Sequence, residues 1–247
     1  MSFDVNGKIA LVTGANRGIG KVITETLLKA GATKVYAAVR RPESAADLVA
    51  AHGDKVVPVA CDVGNTESVQ AAAKAAGDVQ LVVNNAGILR VRSSMSAEAI
   101  DDLAEEINVN LYGLIRVAHA FAPAIKNNGG GALVQLNSVV SMKSYPQFAT
   151  YCASKAASYS ITQALKADLA SDGVHVLSVH PGPIKSDMGD QAGFGDEADS
   201  PQAVADGIVN ALAAGKFHLF PDSIAQQVGA AYAGFAENVI EAEMTVA

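Results

Sequence analysis

The sequence predicts a doubly wound α/β fold, a parallel β-sheet of about seven strands with helices on both faces. Three observations carry that prediction. Short β-branched runs alternate with Ala-rich stretches along the chain, as successive βαβ units require. The runs are apolar almost without interruption, which suits strands buried on both faces. Directly after the first run, a glycine-rich turn, Thr13-Gly14-Ala15-Asn16-Arg17-Gly18-Ile19-Gly20, leads into a helix.

Taken in order, the expected strands are Lys8–Thr13, Lys34–Val39, Val56–Ala60, Val79–Val83, Ala132–Asn137, Val174–His180 and a short Phe217–Phe220. Helices are expected between them: Gly18–Ala30, Glu43–Ala51, Thr66–Ala76, one long helix Ala97–Ala124, Gln147–Ala170, Pro201–Ala214 and a terminal helix from about Asp222 to Glu241. Asn127-Asn128-Gly129-Gly130-Gly131 reads as the turn that ends the long helix. No Pro-, Ser- or Gly-rich linker divides the chain and no solenoid repeat appears, so its 247 residues are read as one domain, 1–247. The stretch Pro181–Ser200 is rich in Gly, Asp and Pro and too long for an ordinary connection. Residues 183–200 are therefore expected to form a lid over a site.

Composition narrows the function. Half of the residues are apolar, enough for a large core, and the net charge of -7 disfavours a nucleic-acid or anionic-membrane partner. The acidic pairs Asp101-Asp102 and Glu105-Glu106 are expected on a solvated helix face. Two cysteines, Cys61 and Cys152, are too few for a disulfide framework and lack metal-ligand spacing, so no metal site is expected and a reducing compartment is the simplest setting. The N-terminus lacks a basic region followed by an apolar stretch, and no apolar run reaches the ~20 residues of a membrane span. A cytoplasmic protein is expected.

Two places carry chemistry. In Tyr151-Cys152-Ala153-Ser154-Lys155 a phenol and an ammonium lie one helical turn apart, on the same face. Drawing a tyrosine from a pKa of about 10 toward 7 takes roughly 4 kcal/mol, about what a unit charge supplies at ~4 Å in an effective dielectric of ~20. The glycine turn between strand and helix makes an anion site, because backbone N–H groups and the helix dipole converge where a pyrophosphate can approach. His175 and His180 lie on an expected buried strand and read as core histidines with satisfied ring nitrogens.

Thr13-Gly14-x-x-x-Gly18-Ile19-Gly20, Asn84-Asn85-Ala86-Gly87, Ser138, Tyr151-x-x-x-Lys155 and Pro181-Gly182 stand in the order and spacing of the short-chain dehydrogenase/reductase family, which the chain resembles from about Lys8 to Ser186. The resemblance implies a Rossmann-type fold, a nicotinamide cofactor and hydride transfer to or from a carbonyl or alcohol carbon. It implies Tyr151 as general acid or base, Lys155 lowering its pKa and binding the nicotinamide ribose, and Ser138 polarising the substrate oxygen. Asn110, ahead of Asn108, matches the helix asparagine that supports a proton relay. The expected cofactor contacts are Gly14, Asn16, Arg17, Gly18, Ile19 and Gly20 in the turn, Asn85, Ala86 and Gly87 after the fourth strand, and Pro181, Gly182, Ile184 and Ser186 after the sixth. Asp62 with Val63 would border the adenine, and Asn84 would both stabilise the sheet and border the cofactor.

The second strand ends in Val39-Arg40-Arg41, without the carboxylate that a ribose diol would call for. Arg40 and Arg17 suit a 2′-phosphate, so NADP(H) is expected over NAD(H), with Arg41 facing solvent. The apolar residues Met142, Tyr145, Pro146, Phe148, Met188 and Phe194 are candidates for a substrate pocket or for ordinary packing. The resemblance also implies a homodimer or homotetramer, although the chain lacks the glycine-rich ending of many tetrameric relatives. The competing readings are a longer epimerase-type relative, disfavoured by the glycine spacing, and a non-catalytic NADP-binding scaffold or sensor that kept the fold.

Overall fold

The computed structural model describes residues 1–242; residues 243–247 of the expected domain lie outside the described residues. Seven parallel strands form one sheet: β1 (Ile9–Thr13), β2 (Lys34–Val39), β3 (Val56–Ala60), β4 (Leu81–Asn84), β5 (Gly131–Leu136), β6 (Val174–Val179) and β7 (His218–Leu219), in the order β3-β2-β1-β4-β5-β6-β7. The chain builds outward from β1 to β3, then returns to place β4 on the other side of β1. That reversal leaves a crevice above the C-terminal ends of β1 and β4, the place where open α/β sheets bind ligands.

Alternate side chains of each strand feed two cores. Val12 and Leu177 join Ile23 and Leu27 of α1 (Gly18–Lys29) and Ile208 and Leu212 of α8 (Pro201–Ala213) on one face. Leu11, Val82 and Leu133 join Val69 of α3 (Thr66–Ala75) and Val117 and Phe121 of α5 (Gly113–Asn127) on the other. Full burial of each large aliphatic side chain contributes about 1.5–3 kcal/mol, so this two-sided packing dominates the hold on the sheet. The remaining helices are α2 (Ala46–His52), α4 (Ala99–Glu106), α6 (Ala149–Asp168), α7 (Asp187–Gln191) and α9 (Ser223–Phe235).

Three expectations are corrected. The long helix expected over 97–124 is interrupted: α4 passes through a π-helical turn, Ile107–Tyr112, before α5 begins. The stretch after β6 contains the short helix α7, begun by Ser186, whose hydroxyl accepts the Gly189 N–H at 3.1 Å. The acidic pairs of α4 do not all face solvent. Glu105 and Asp101 do, but Glu106 is fully buried against α6 and Asp102 mostly so, because positions four apart share the face turned inward. The neck of segment 183–200 is closed by a bridge between Ile184 and Asp199, with Lys185 N–H on Asp199 O and Asp199 N–H on Pro183 O, both at 2.9 Å.

Candidate active site

A cleft of about 590 Å³ opens over the C-terminal ends of the strands. Gly14 and Gly18 take left-handed backbone angles, φ +66° and +51°, which L side chains rarely adopt, and they turn the chain from β1 into α1. Gly20 is required for space: a Cβ there would lie 2.3 Å from Gly14 O and 2.5 Å from Asn85 Nδ2. Arg17 stands at the N-cap of α1 in extended conformation and its side chain makes no capping bond. The first N–H groups of the helix therefore look for an acceptor, and an anion suits them. Asn85 holds the neighbouring loop, its Nδ2 donating to Thr13 O and its backbone N–H to Thr13 Oγ1, each at 2.9 Å.

At the other end of the cleft, Ser138 follows β5 and Tyr151 and Lys155 project from the first turns of α6. Ser138 Oγ donates to Pro181 O at 3.2 Å and accepts the Val140 N–H at 3.3 Å. Lys155 Nζ donates to Leu136 O at 2.7 Å and lies 5.8 Å from the Tyr151 ring centroid. All three residues are buried. Burial is the main influence on both titrating groups. It holds the Tyr151 phenol well above its ordinary value, assisted by Cys152 and Glu106 and opposed by the Ser138 hydroxyl, and it brings the Lys155 ammonium down to about 8, against the pull of Glu106. The phenol is therefore raised where a drop through Lys155 was expected: burial dominates, and Lys155, whose hydrogen bond goes to the backbone, is not among the groups that shift it.

Two parallel ties fix this end of the cleft. Asn110, in the π-helical turn, accepts the Ile88 N–H through Oδ1 and donates through Nδ2 to Ile88 O and Ser154 Oγ, all at 2.9 Å. One helical turn earlier, Glu106 Oε1 accepts the Arg90 N–H at 2.7 Å, while Oε2 and the nearby buried Thr150 Oγ1 have no hydrogen-bond partner among the described residues. Burial raises the Glu106 carboxyl above its ordinary range. Beneath the floor runs a chain of buried polar side chains: Thr13 to Asn84, Asn84 to Gln135, Gln135 to Ser158, Ser158 to Asn137, Asn137 to Ser178 and Ser178 to His180. His180 ends it against Ser138 O and Ser141 Oγ, and burial lowers its pKa to about 3, so the ring is neutral.

The cleft gathers Gly14, Asn16, Arg17, Gly18, Ile19, Gly20, Arg40, Asp62, Val63, Asn85, Ala86, Gly87, Ser138, Tyr151, Lys155, Pro181, Gly182, Ile184 and Ser186. Asn110 lies behind the wall, its Oδ1 3.0 Å from where a Gly87 Cβ would stand. Asn84 is corrected from a cofactor-bordering residue to a purely internal one, since its amide is consumed by Thr13 and Gln135. Arg41 is exposed, as expected, and also joins Arg40 and Ser44 on the rim of the cleft. Arg17 is drawn into an ion pair with Asp187 of α7, both side chains about two-thirds exposed. Four of the six candidate pocket residues, Tyr145, Phe148, Met188 and Phe194, line the cleft, whereas Met142 lines a separate shallow hollow. Sequence reading missed Asp222, whose buried carboxylate accepts the Gly182 N–H at 2.7 Å and the Ala225 N–H at 2.9 Å; the Asp-Ser pair at a helix start signals only the second bond.

A dinucleotide fits these residues: the glycine turn and open helix end accept a pyrophosphate, and Arg40, Arg41 and Ser44 offer donors to a phosphate beyond β2. A family model described as short chain dehydrogenase matches residues 8–195. The 3-oxoacyl-[acyl-carrier-protein] reductase FabG of Vibrio cholerae is 36% identical over 191 residues, covering 75% of this chain and 77% of that protein. D-threitol dehydrogenase of Mycolicibacterium smegmatis is 32% identical over 231 residues, covering 90% and 85%. A solved short chain dehydrogenase from Burkholderia cenocepacia in complex with NADP superposes with a TM-score of 0.87 at 35% identity, covering 95% and 96% of the two chains. Motif order, sheet topology and these likenesses agree, and the chain belongs to the short-chain dehydrogenase/reductase family of oxidoreductases.

Proposed function

We propose that this chain is an NADP(H)-dependent oxidoreductase that interconverts a ketone or aldehyde with the corresponding alcohol. The observation that carries the reading is the convergence of Ser138, Tyr151 and Lys155 at one end of a cleft whose other end is the glycine cradle and the arginine rim. Arg40 and Arg41 would hold the 2′-phosphate, the Gly14–Gly20 turn the pyrophosphate, and Lys155 the nicotinamide ribose. When bound, the reduced cofactor supplies hydride to the carbonyl carbon. The chain supplies the proton. Ser138 Oγ donates to the carbonyl oxygen and Tyr151 Oη gives up its proton to that oxygen as charge builds on it. A phenol held above its ordinary pKa stays protonated at neutral pH, and it still transfers downhill to an alkoxide, which is a far stronger base than a phenolate.

Lys155, anchored on Leu136 O, keeps further N–H donors for the ribose and for the phenolate that proton transfer leaves. Asn110 supports the relay that returns a proton, by holding the loop at Ile88 against α6 where the helical ladder is interrupted. Residues 1–247 act as one unit, with 183–200 as a lid tied to the glycine turn by the Arg17–Asp187 pair. Ile100 of α4, Tyr112 of the π-helical turn and Ile115 of α5 are exposed apolar side chains, which supports a homodimer or homotetramer built on this helical stretch. Among the described residues no helix is long and apolar enough to cross a membrane, and we read the protein as cytoplasmic. Steady-state oxidation of NADPH and NADH with a carbonyl panel tests the function. NADPH is expected to be favoured at least tenfold in kcat/KM and Arg40→Asp to remove the preference; equal efficiencies in the parent protein contradict the cofactor assignment.

A further inference from the structure

Beyond Tyr151 the cleft is walled by Leu89, Val140, Phe148, Met188 and Phe194. Leu89, Phe148 and Tyr151 form a buried apolar cluster against which Val140, Met188 and Phe194 pack, and the Phe148 and Phe194 rings meet edge to face with centroids 6.0 Å apart. The charged residues that line the cleft are elsewhere or already engaged. Arg40, Arg41 and Asp62 lie beyond β2 and β3, on the far side of the sheet crevice from β5 and α6. Arg17 and Asp187 pair with each other, and Lys155 is held on Leu136 O. The loop cations Arg90 and Arg92 do not line the cleft and are paired with acids at α4: Arg90 binds Glu105 at 2.5 Å, and Arg92 binds Asp102 and, at 3.2 Å, Glu98. Lys143 is exposed and lines the separate hollow.

Polar side chains at the inner end are engaged, and those at the mouth stand open to solvent. Gln191 Nε2 donates to Leu89 O at 3.3 Å and Ser141 Oγ to Ser138 O at 2.5 Å, while Tyr145 and Gln147 stand on the exposed rim. At the inner end of this pocket a substrate meets the hydroxyls of Ser138 and Tyr151, both needed at the reacting oxygen, and between them and the rim the wall is apolar. A carboxylate or phosphate would be desolvated without a cation, and the hydroxyls of a sugar or polyol without partners.

Resting on the carbonyl chemistry proposed above, we propose that the substrate is an uncharged ketone or aldehyde whose carbonyl bears an apolar aryl or branched alkyl group, seated against the wall that Phe148 on the α6 side and Phe194 on the 183–200 segment form together. The test compares three carbonyls of small size with NADPH: acetophenone, benzoylformate, which carries a carboxylate in place of the methyl on the same aryl carbonyl, and erythrulose, a polyhydroxy ketone. Acetophenone is expected to exceed both in kcat/KM by about 100-fold, the scale on which a site without partners rejects added polar groups. Phe194→Arg, checked for folding by circular dichroism, is expected to raise the benzoylformate-to-acetophenone ratio at least tenfold, and Phe194→Ala to raise the KM for acetophenone with a smaller effect on kcat.

A binding arm separates this proposal from the one beneath it. Saturation-transfer NMR on protein mixed with NADP+, which cannot reduce a ketone, is expected to detect acetophenone and not erythrulose. Binding of acetophenone without turnover of any carbonyl upholds the substrate class and overturns the catalytic reading. Turnover that favours benzoylformate or erythrulose overturns the substrate class and leaves carbonyl reduction standing. Neither binding nor turnover overturns both.

Discussion

At Tyr151 and Lys155 the structure reverses the simplest electrostatic expectation. Residues four apart on a helix can share charge, but here burial is the larger effect, raising the phenol and lowering the ammonium to about 8. The consequence for pH dependence has a definite sign. Below pH 8 Lys155 is charged and Tyr151 protonated, the pair of states that the proposed carbonyl reduction uses; as pH rises through about 8 Lys155 loses its proton first. The kcat/KM for reduction is expected to fall above pH 8, and Lys155→Arg to move that limb upward whatever its cost in rate. A limb unchanged in Lys155→Arg would assign it to another group. Linkage adds a stability signature: the unfolded chain keeps the lysine proton to about 10.5, so this group makes the fold more stable as pH climbs from 8 toward 10.5. The same scale shows why part of the site was legible and part was not. Ser138, Tyr151, Lys155 and the glycines announce themselves by spacing, whereas Glu106 looks like one more surface acid until α6 packs over it.

Among the elements, the junction of β1 and α1 is the most constrained. Its cradle depends on two residues in left-handed conformation and on Gly20, where the helix crosses the backbone too closely for any side chain. Gly20→Ala is expected to force α1 away from Gly14 and Asn85, costing about 1–3 kcal/mol as overpacking does. Thermal denaturation with and without NADPH checks it: a lower Tm and a loss of the NADPH-induced increment are expected, and an unaltered melt in both conditions would mean that the junction relaxes freely. The π-helical turn over 107–112 and the short α7 are the elements that sequence periodicity does not reveal. One extra residue in a turn of helix leaves the apolar pattern on either side nearly intact, and a helix of five residues is too short to show a period. Strand positions, by contrast, were legible because continuous apolar runs bounded by turn residues have few other places to go.

For the whole molecule, the sheet order turns separate motifs into one site. The reversal between β3 and β4 brings the glycine turn, the Asn85–Gly87 loop and the β5–α6 face around a single crevice, and the buried polar chain from Thr13 to His180 locks the strand ends to the floor beneath Ser138. Its members are paired, so the chain is rigid at little cost. On the function proposed above, this crevice holds NADPH and Tyr151 Oη delivers the proton to a carbonyl oxygen. The most direct measurement follows NADPH oxidation by the parent protein and Tyr151→Phe alongside a fluorescence titration of NADPH binding. Turnover in Tyr151→Phe is expected to fall at least 100-fold, the scale of a lost general acid, with NADPH affinity nearly unchanged. Parent-like turnover in Tyr151→Phe would contradict it.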